Sequence, residues 1–148
     1  TTLKIMGDLS ANFSSKEFTC ECCNLGTPSK SLVNLLELIR FVLTETYYPY
    51  KVKVTITGRL RCRKHNDDLV KQGIKAAKES RHIFPDYADG ADIKAYYFSS
   101  SKWNQIDPDE VADIARENMK DSGGVGRYSN RTHVDTRSVL SNWDVRES

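Results

Sequence analysis

The sequence predicts a single domain that mixes helices with strands, and three observations carry that reading. Leu32, Leu35, Leu36, Ile39 and Leu43 recur at the spacing of one helix face. Residues 51–57 alternate strictly between polar and apolar, as a strand with one buried side does. Asp107-Pro108-Asp109-Glu110 is a helix start, with an N-cap, a proline at the first helical position and an acid three residues after the cap.

Taken in order, residues 9–18 contain Ser14 with Glu17 three positions on, a capping-box arrangement for a short helix anchored by Phe13 and Phe18. The main core helix starts near Ser29 or Ser31 and runs to about Tyr47, stopped by Pro49. The strand of residues 51–57 ends at Gly58. A second helix is expected over 63–79, with Leu69, Val70, Ile74 and Ala77 facing inward, and 80–90 has no period and reads as loop. Residues 91–97 form a strand, and the helix begun at Asp107 runs to about Lys120. Gly123, Gly124 and Gly126 turn into a strand near 125–128, and a second short strand covers 132–135. No repeat, linker or low-complexity segment divides the chain, so residues 1–148 are expected to be a single domain.

With 148 residues, 39% of them apolar and 28% charged, the chain can bury a real core and is not of disordered composition. A formal net charge of +2 with no block of like charges argues against a nucleic-acid partner. No apolar run reaches the roughly 18 to 20 residues of a membrane span, and no charged-then-apolar leader opens the chain. A protein that acts without membrane insertion, as a monomer, is expected. Cys20, Cys22, Cys23 and Cys62 leave three readings open. The CxCC spacing lacks the paired CxxC knuckles of a structural zinc site. A disulfide from the cluster to Cys62 is a second reading, and buried thiols packing a loop a third.

The chemistry centres on His133-Val134-Asp135, which sets an imidazole and a carboxylate two residues apart in a β-compatible segment, so that both project from one face. Ser80-Arg81-His82 and Gly90-Ala91-Asp92-Ile93 supply one more of each. Two imidazoles and a carboxylate are the donor set of a catalytic zinc, and a further carboxylate completes a hydrolytic inventory. His65, among Arg61, Arg63 and Lys64, is a poor place for a cation.

These segments, with Gly124-Val125-Gly126-Arg127-Tyr128 ahead of His133, resemble the SxH…AxD and HxD signatures of peptidase family M15. That family comprises the zinc D-Ala-D-Ala carboxypeptidases and includes phage endolysins. Residues 9–23 resemble its LSxNFxxxEFxCxC opening, residues 56–66 its ITSGYRCPxHN segment, and Trp143 the tryptophan that often closes the domain. The resemblance spans nearly the whole chain. It implies an α+β, hedgehog/D-Ala-D-Ala peptidase-like fold, with helices packed on one side of a small antiparallel sheet, and zinc held by His82, Asp92 and His133. The implied activity is hydrolysis of a peptide bond in bacterial peptidoglycan by a bacterial or phage protein acting at the cell wall.

The spacing departs from the family pattern, in which seven positions separate the first histidine from its aspartate. His82 to Asp92 is ten, whereas His82 to Asp89 is seven. Asp92 is preferred because Gly90-Ala91-Asp92-Ile93 matches the family's strand entrance. Asp135 is expected to be the general base, with orientation of a metal ligand as its alternative. The position where many relatives carry the base is Asn130 here. Arg61 matches the family arginine that grips substrate or stabilises its oxyanion, Arg137 being a weaker candidate. Tyr128 and Trp143 are read as wall residues. The rival function classes are a non-catalytic zinc-stabilised binding module and a phage structural protein.

Overall fold

A computed structural model describes residues 7–146 apart from 75, 76 and 78. Helix α1, Lys30–Tyr47, starts where the Ser29 hydroxyl accepts the Leu32 N–H at 3.2 Å, which satisfies one of the free donors of a helix start. It buries Leu32, Leu35, Leu36, Ile39 and Leu43 on one side. Each of these side chains contributes about 1.5–3 kcal/mol by leaving water. Helix α2 is Arg63–Lys71 and helix α3 is Pro108–Met119, the latter capped by the Asp107 carboxylate accepting from Asp109 N–H at 3.0 Å.

The strands are β1 Val52–Gly58, β2 Arg61–Cys62, β3 Ile83–Phe84, β4 Gly90–Ser99, β5 Lys102–Gln105, β6 Gly124–Arg127, β7 Thr132–Asp135 and β8 Ser141–Asp144. Six form one sheet, β1-β4-β7-β6-β8 with β5 on the far end of β4, while β2 and β3 pair separately. Helices α1 and α3 pack on each other and on the main sheet, α1 over β1 and β4, α3 over β6 and β7. Ala91, Ile93, Ala95, Val125 and Val134 meet them from the sheet. Helix α2 lies instead on the small β2–β3 sheet.

The described residues are therefore mixed α and β, as the α+β expectation holds. The main sheet is mixed rather than antiparallel, because β8 joins β6 in parallel, and the separate β2–β3 pair is parallel as well. The helix expected over 63–79 ends at Lys71. Gly73 takes a left-handed φ of 75° that closes the helix, so Val70 and Ile74 are exposed and Asn66 is the buried residue of α2. Of that expected helix, residues 75, 76 and 78 lie outside the described residues. The segment 14–17 forms a single 3-10 turn, Ser15–Glu17, with Glu17 accepting the Ser14 N–H at 2.7 Å. Phe13 and Phe18 anchor it in the core, and the Phe18 carbonyl accepts from Leu60 N–H at 3.0 Å. No helix among the described residues is long and apolar enough to cross a membrane.

Candidate metal centre

One row of residues crosses the main sheet on the face turned away from α1 and α3. Gly58 of β1 pairs with Asp92 of β4, Asp92 with His133 of β7, His133 with Gly126 of β6, and Gly126 with Trp143 of β8. Directly opposed residues share a face, so Asp92 and His133 stand side by side. The Trp143 ring reaches His133 over the bare Gly126, with ring centroids 4.9 Å apart. At the other end Gly58 leaves room for the Asp92 carboxylate, which a Cβ there would strike.

His82 joins this row from the loop before β3. Its backbone is set by Arg61 N–H donating to the His82 carbonyl at 2.8 Å and by His82 N–H donating to the Ser80 hydroxyl at 3.2 Å. The three side-chain atoms that meet are His82 Nε2, His133 Nδ1 and Asp92 Oδ1. They are 3.3 Å (His–His), 3.0 Å (His133–Asp92) and 3.5 Å (His82–Asp92) apart. Donors about 2.0–2.1 Å from a tetrahedral zinc lie about 3.3 Å from one another, so the triangle has the size of one face of such a site.

The outer edges of both rings show what the inner edges carry. His82 Nδ1 faces the Arg59 carbonyl at 3.0 Å, and His133 Nε2 faces Asp135 Oδ2 at 2.8 Å. Both partners only accept, so both outer nitrogens are N–H, an assignment made from the hydrogen-bond network. In the neutral rings the inner nitrogens are then lone pairs, pointed at each other and at a carboxylate oxygen. Three electron pairs this close need a cation among them, either a metal ion or a proton.

The electrostatics follow the same geometry. Burial pushes the His82 imidazole below its ordinary value. Burial also opposes charge on His133, but Asp135 and Asp92 on its two edges reverse that and raise it. Burial alone would lift Asp92, yet the two histidines hold it well below the usual carboxylate range.

Asp135 does not stand where the general base was expected. It shares the strand face of His133 but meets the ring's outer edge, away from the three converging donors. It is fully buried, and its oxygens accept from His133, from Gly124 N–H at 3.0 Å, and from the Arg137 guanidinium at 2.7 and 2.6 Å. Against the upward push of burial, His133 and Arg137 keep it below the usual carboxylate range. A carboxylate so engaged is a weak proton acceptor and a firm orienting group for His133. Arg137, the weaker candidate for gripping substrate, is committed to Asp135 instead.

Of the two aspartates weighed for the metal, Asp92 lies with the histidines, whereas Asp89 is gripped by Arg81. The extra positions before Asp92 form a tight excursion in which the Ile83 carbonyl accepts from both Tyr87 and Ala88 N–H at 2.9 Å. His65 borders the cleft but stays out of the cluster, and Asn130 sits in the exposed turn before β7.

The three donors line an open cleft of about 610 Å³. Arg61 lies on its wall, its guanidinium donating to the Ser80 hydroxyl at 3.0 Å, and burial draws it below its ordinary value. Tyr128 and Trp143 also line it, joined by Trp143 Nε1–H donating to the Tyr128 hydroxyl at 3.2 Å. Sequence reasoning missed Arg131, which stacks on Tyr128 and reaches within 3.6 Å of Asp92. Its place between the two β-strand motifs was the available signal. Comparison of the chain with family models, with curated proteins and with solved structures found no match.

Proposed function

We propose that this chain is a zinc-dependent metallopeptidase that hydrolyses a peptide bond in bacterial peptidoglycan stem peptides or cross-bridges. It would act at the cell wall as a D-Ala-D-Ala carboxypeptidase-like enzyme or an endolysin endopeptidase, on a hedgehog/D-Ala-D-Ala peptidase-like fold. The observation that carries this reading is the convergence of two imidazole lone pairs and a carboxylate oxygen, at separations of 3.0–3.5 Å, on an open cleft beside Arg61. Nitrogen and oxygen donors at this spacing suit zinc, with His82, Asp92 and His133 as its holders. Zinc bound there supplies Lewis acidity and makes water a nucleophile near neutral pH.

The chain's own residues do the rest. The Arg59 carbonyl and Asp135 fix the two imidazoles with their lone pairs inward. Arg61 and Arg131 bring positive charge to the cleft, suited to a peptide's carboxylate or to the oxyanion that develops on its carbonyl. With Asp135 committed to His133 and Arg137, Glu21, a solvent-exposed carboxylate that lines the same cleft, is the residue to test as proton acceptor. Glu79, also on the wall, already accepts from Arg63 and the Tyr87 hydroxyl.

One observation favours a second reading, a zinc-stabilised binding module. The carboxylate nearest the histidines apart from Asp92 is locked, and Asn130 has no basic group. Zinc-loaded protein given purified peptidoglycan separates the two. Release of new amino or carboxyl termini that stops in Glu21→Gln and on chelation supports the enzyme. Full zinc with no release hands the site to the binding module.

A further inference from the structure

Four cysteines that the proposed activity does not use meet at the surface beside β2. Cys20, Cys22 and Cys23 come from one loop, and Cys62 is the N-cap of α2, 40 residues after Cys22. The loop closes on itself: Cys20 N–H donates to the Leu25 carbonyl at 2.8 Å and Asn24 N–H to the Cys20 carbonyl at 2.7 Å. Asn24 takes a left-handed φ of 59°, which asparagine tolerates. This brings Cys22 Sγ to 3.5 Å from Cys20 Sγ and 3.2 Å from Cys62 Sγ, and all four sulfurs lie within 4.8 Å of one another.

A disulfide would need about 2.05 Å, and all four thiols are free. Sulfurs held about 2.3 Å from a tetrahedral zinc lie about 3.8 Å apart, so the observed separations bracket a single ion. Independent features favour thiolates at Cys20 and Cys62. Cys62 N–H points at Cys20 Sγ at 3.4 Å and His65 N–H at Cys62 Sγ at 3.3 Å. Cys62 sits at the positive end of α2, and Arg61, Arg63 and Lys64 adjoin it in sequence. Cys22 and Cys23 are exposed, so an ion from solvent can reach the cluster.

We propose that Cys20, Cys22, Cys23 and Cys62 form a tetrathiolate zinc site distinct from the histidine centre. On loading, four S–H bonds give their protons to solvent, four S–Zn bonds form, and no electron is transferred. The dianionic product is balanced by the neighbouring cations. The ion would pin the N-terminal arm to the strand that carries Arg61, and would hold Glu21, between two of the ligands, on the cleft wall.

Metal content and cobalt spectra of protein purified under reducing conditions test this. Wild type should carry about two equivalents of zinc, and Cys22→Ser/Cys23→Ser and His133→Ala about one each. Both replaced cysteines are exposed, so the core is untouched. Cobalt-loaded His133→Ala should keep the thiolate-to-cobalt charge-transfer absorption, which the cysteine variant should lack. A wild type with a single equivalent of thiolate character supports the cysteine site while overturning the histidine centre. Absence of the charge-transfer band from His133→Ala, immediate alkylation of all four thiols in the native zinc-loaded protein, or a Cys22–Cys62 disulfide in it overturns the proposal.

Discussion

Two carboxylates flank the His133 ring, and their different surroundings give them different work. Asp92 meets the inner nitrogen, where the three donor atoms converge, while Asp135 meets the outer nitrogen with its oxygens occupied by Arg137 and Gly124. Asp135→Asn should therefore weaken zinc binding by about 10–100-fold, the usual cost of losing a group that orients a ligand. Competition against a chelator of known affinity measures this. Unchanged zinc affinity with a large loss of turnover would instead return Asp135 to the role of base.

A proton and a metal ion would compete for the same inner nitrogen of His133. In metal-free protein the His133 value is raised above its ordinary 6.5 by Asp135 and Asp92, against the effect of burial. The sign follows from linkage: its stabilisation is fully present below pH 6.5 and is lost as pH rises through the raised folded value. Denaturant unfolding in the presence of chelator should show metal-free wild type losing stability over that interval, with the loss absent from His133→Gln. A flat wild-type profile would contradict the assigned proton.

At the scale of elements, the site depends on a row of strands whose ends were unequally legible in the sequence. Helix α1, strand β1 and the Asp107 start of α3 were legible because their signals are local: apolar period, alternation and capping. Strand β7 was legible as a short motif. Strands β2, β3 and β8 were not, since each is four residues or fewer and owes its state to a partner far along the chain, and β5 was not because its two-residue turn from β4, Ser100-Ser101 at left-handed φ, lacks the Asn-Gly or Asp-Gly signal of such a turn. Strand β8 pairs in parallel with β6, so no hairpin turn announces it.

The same limit applied to the candidate site. His82, Asp92 and His133 could be singled out by residue type and motif, and the structure brings them together. Which edge of the His133 ring Asp135 would meet could not, because a shared strand face does not decide ring orientation. The approach of Cys62 to the 20–23 loop is likewise a tertiary contact with no local signal. Glycine at 58 is an element-level requirement of the row. Gly58→Ala would place a Cβ against the Asp92 carboxylate, and since Asp92 is braced by His133 and Arg131 the strain falls on the metal triangle. Zinc retention should fall about tenfold or more while the fold persists. Wild-type retention in Gly58→Ala would show that Asp92 can shift without cost.

Across the whole molecule, the helical pair α1 and α3 covers one face of the sheet and leaves the other to the cluster of His82, Asp92 and His133. The row from Gly58 to Trp143, the His82 loop and the arm bearing Glu21 are held against that free face by different segments of the chain. A centre assembled from β4, β7 and the loop before β3 exists only when the sheet has formed, so metal at that centre binds the folded state alone and should raise its stability. His82, Asp92 and His133 are proposed as the ligands of a catalytic zinc. Elemental analysis of folded wild type and His133→Ala, with peptidoglycan hydrolysis measured on the same samples, tests this most directly. His133→Ala should lack one equivalent of zinc relative to wild type and release no new peptide termini, whereas equal zinc content in the two proteins would mean that His133 does not hold the ion.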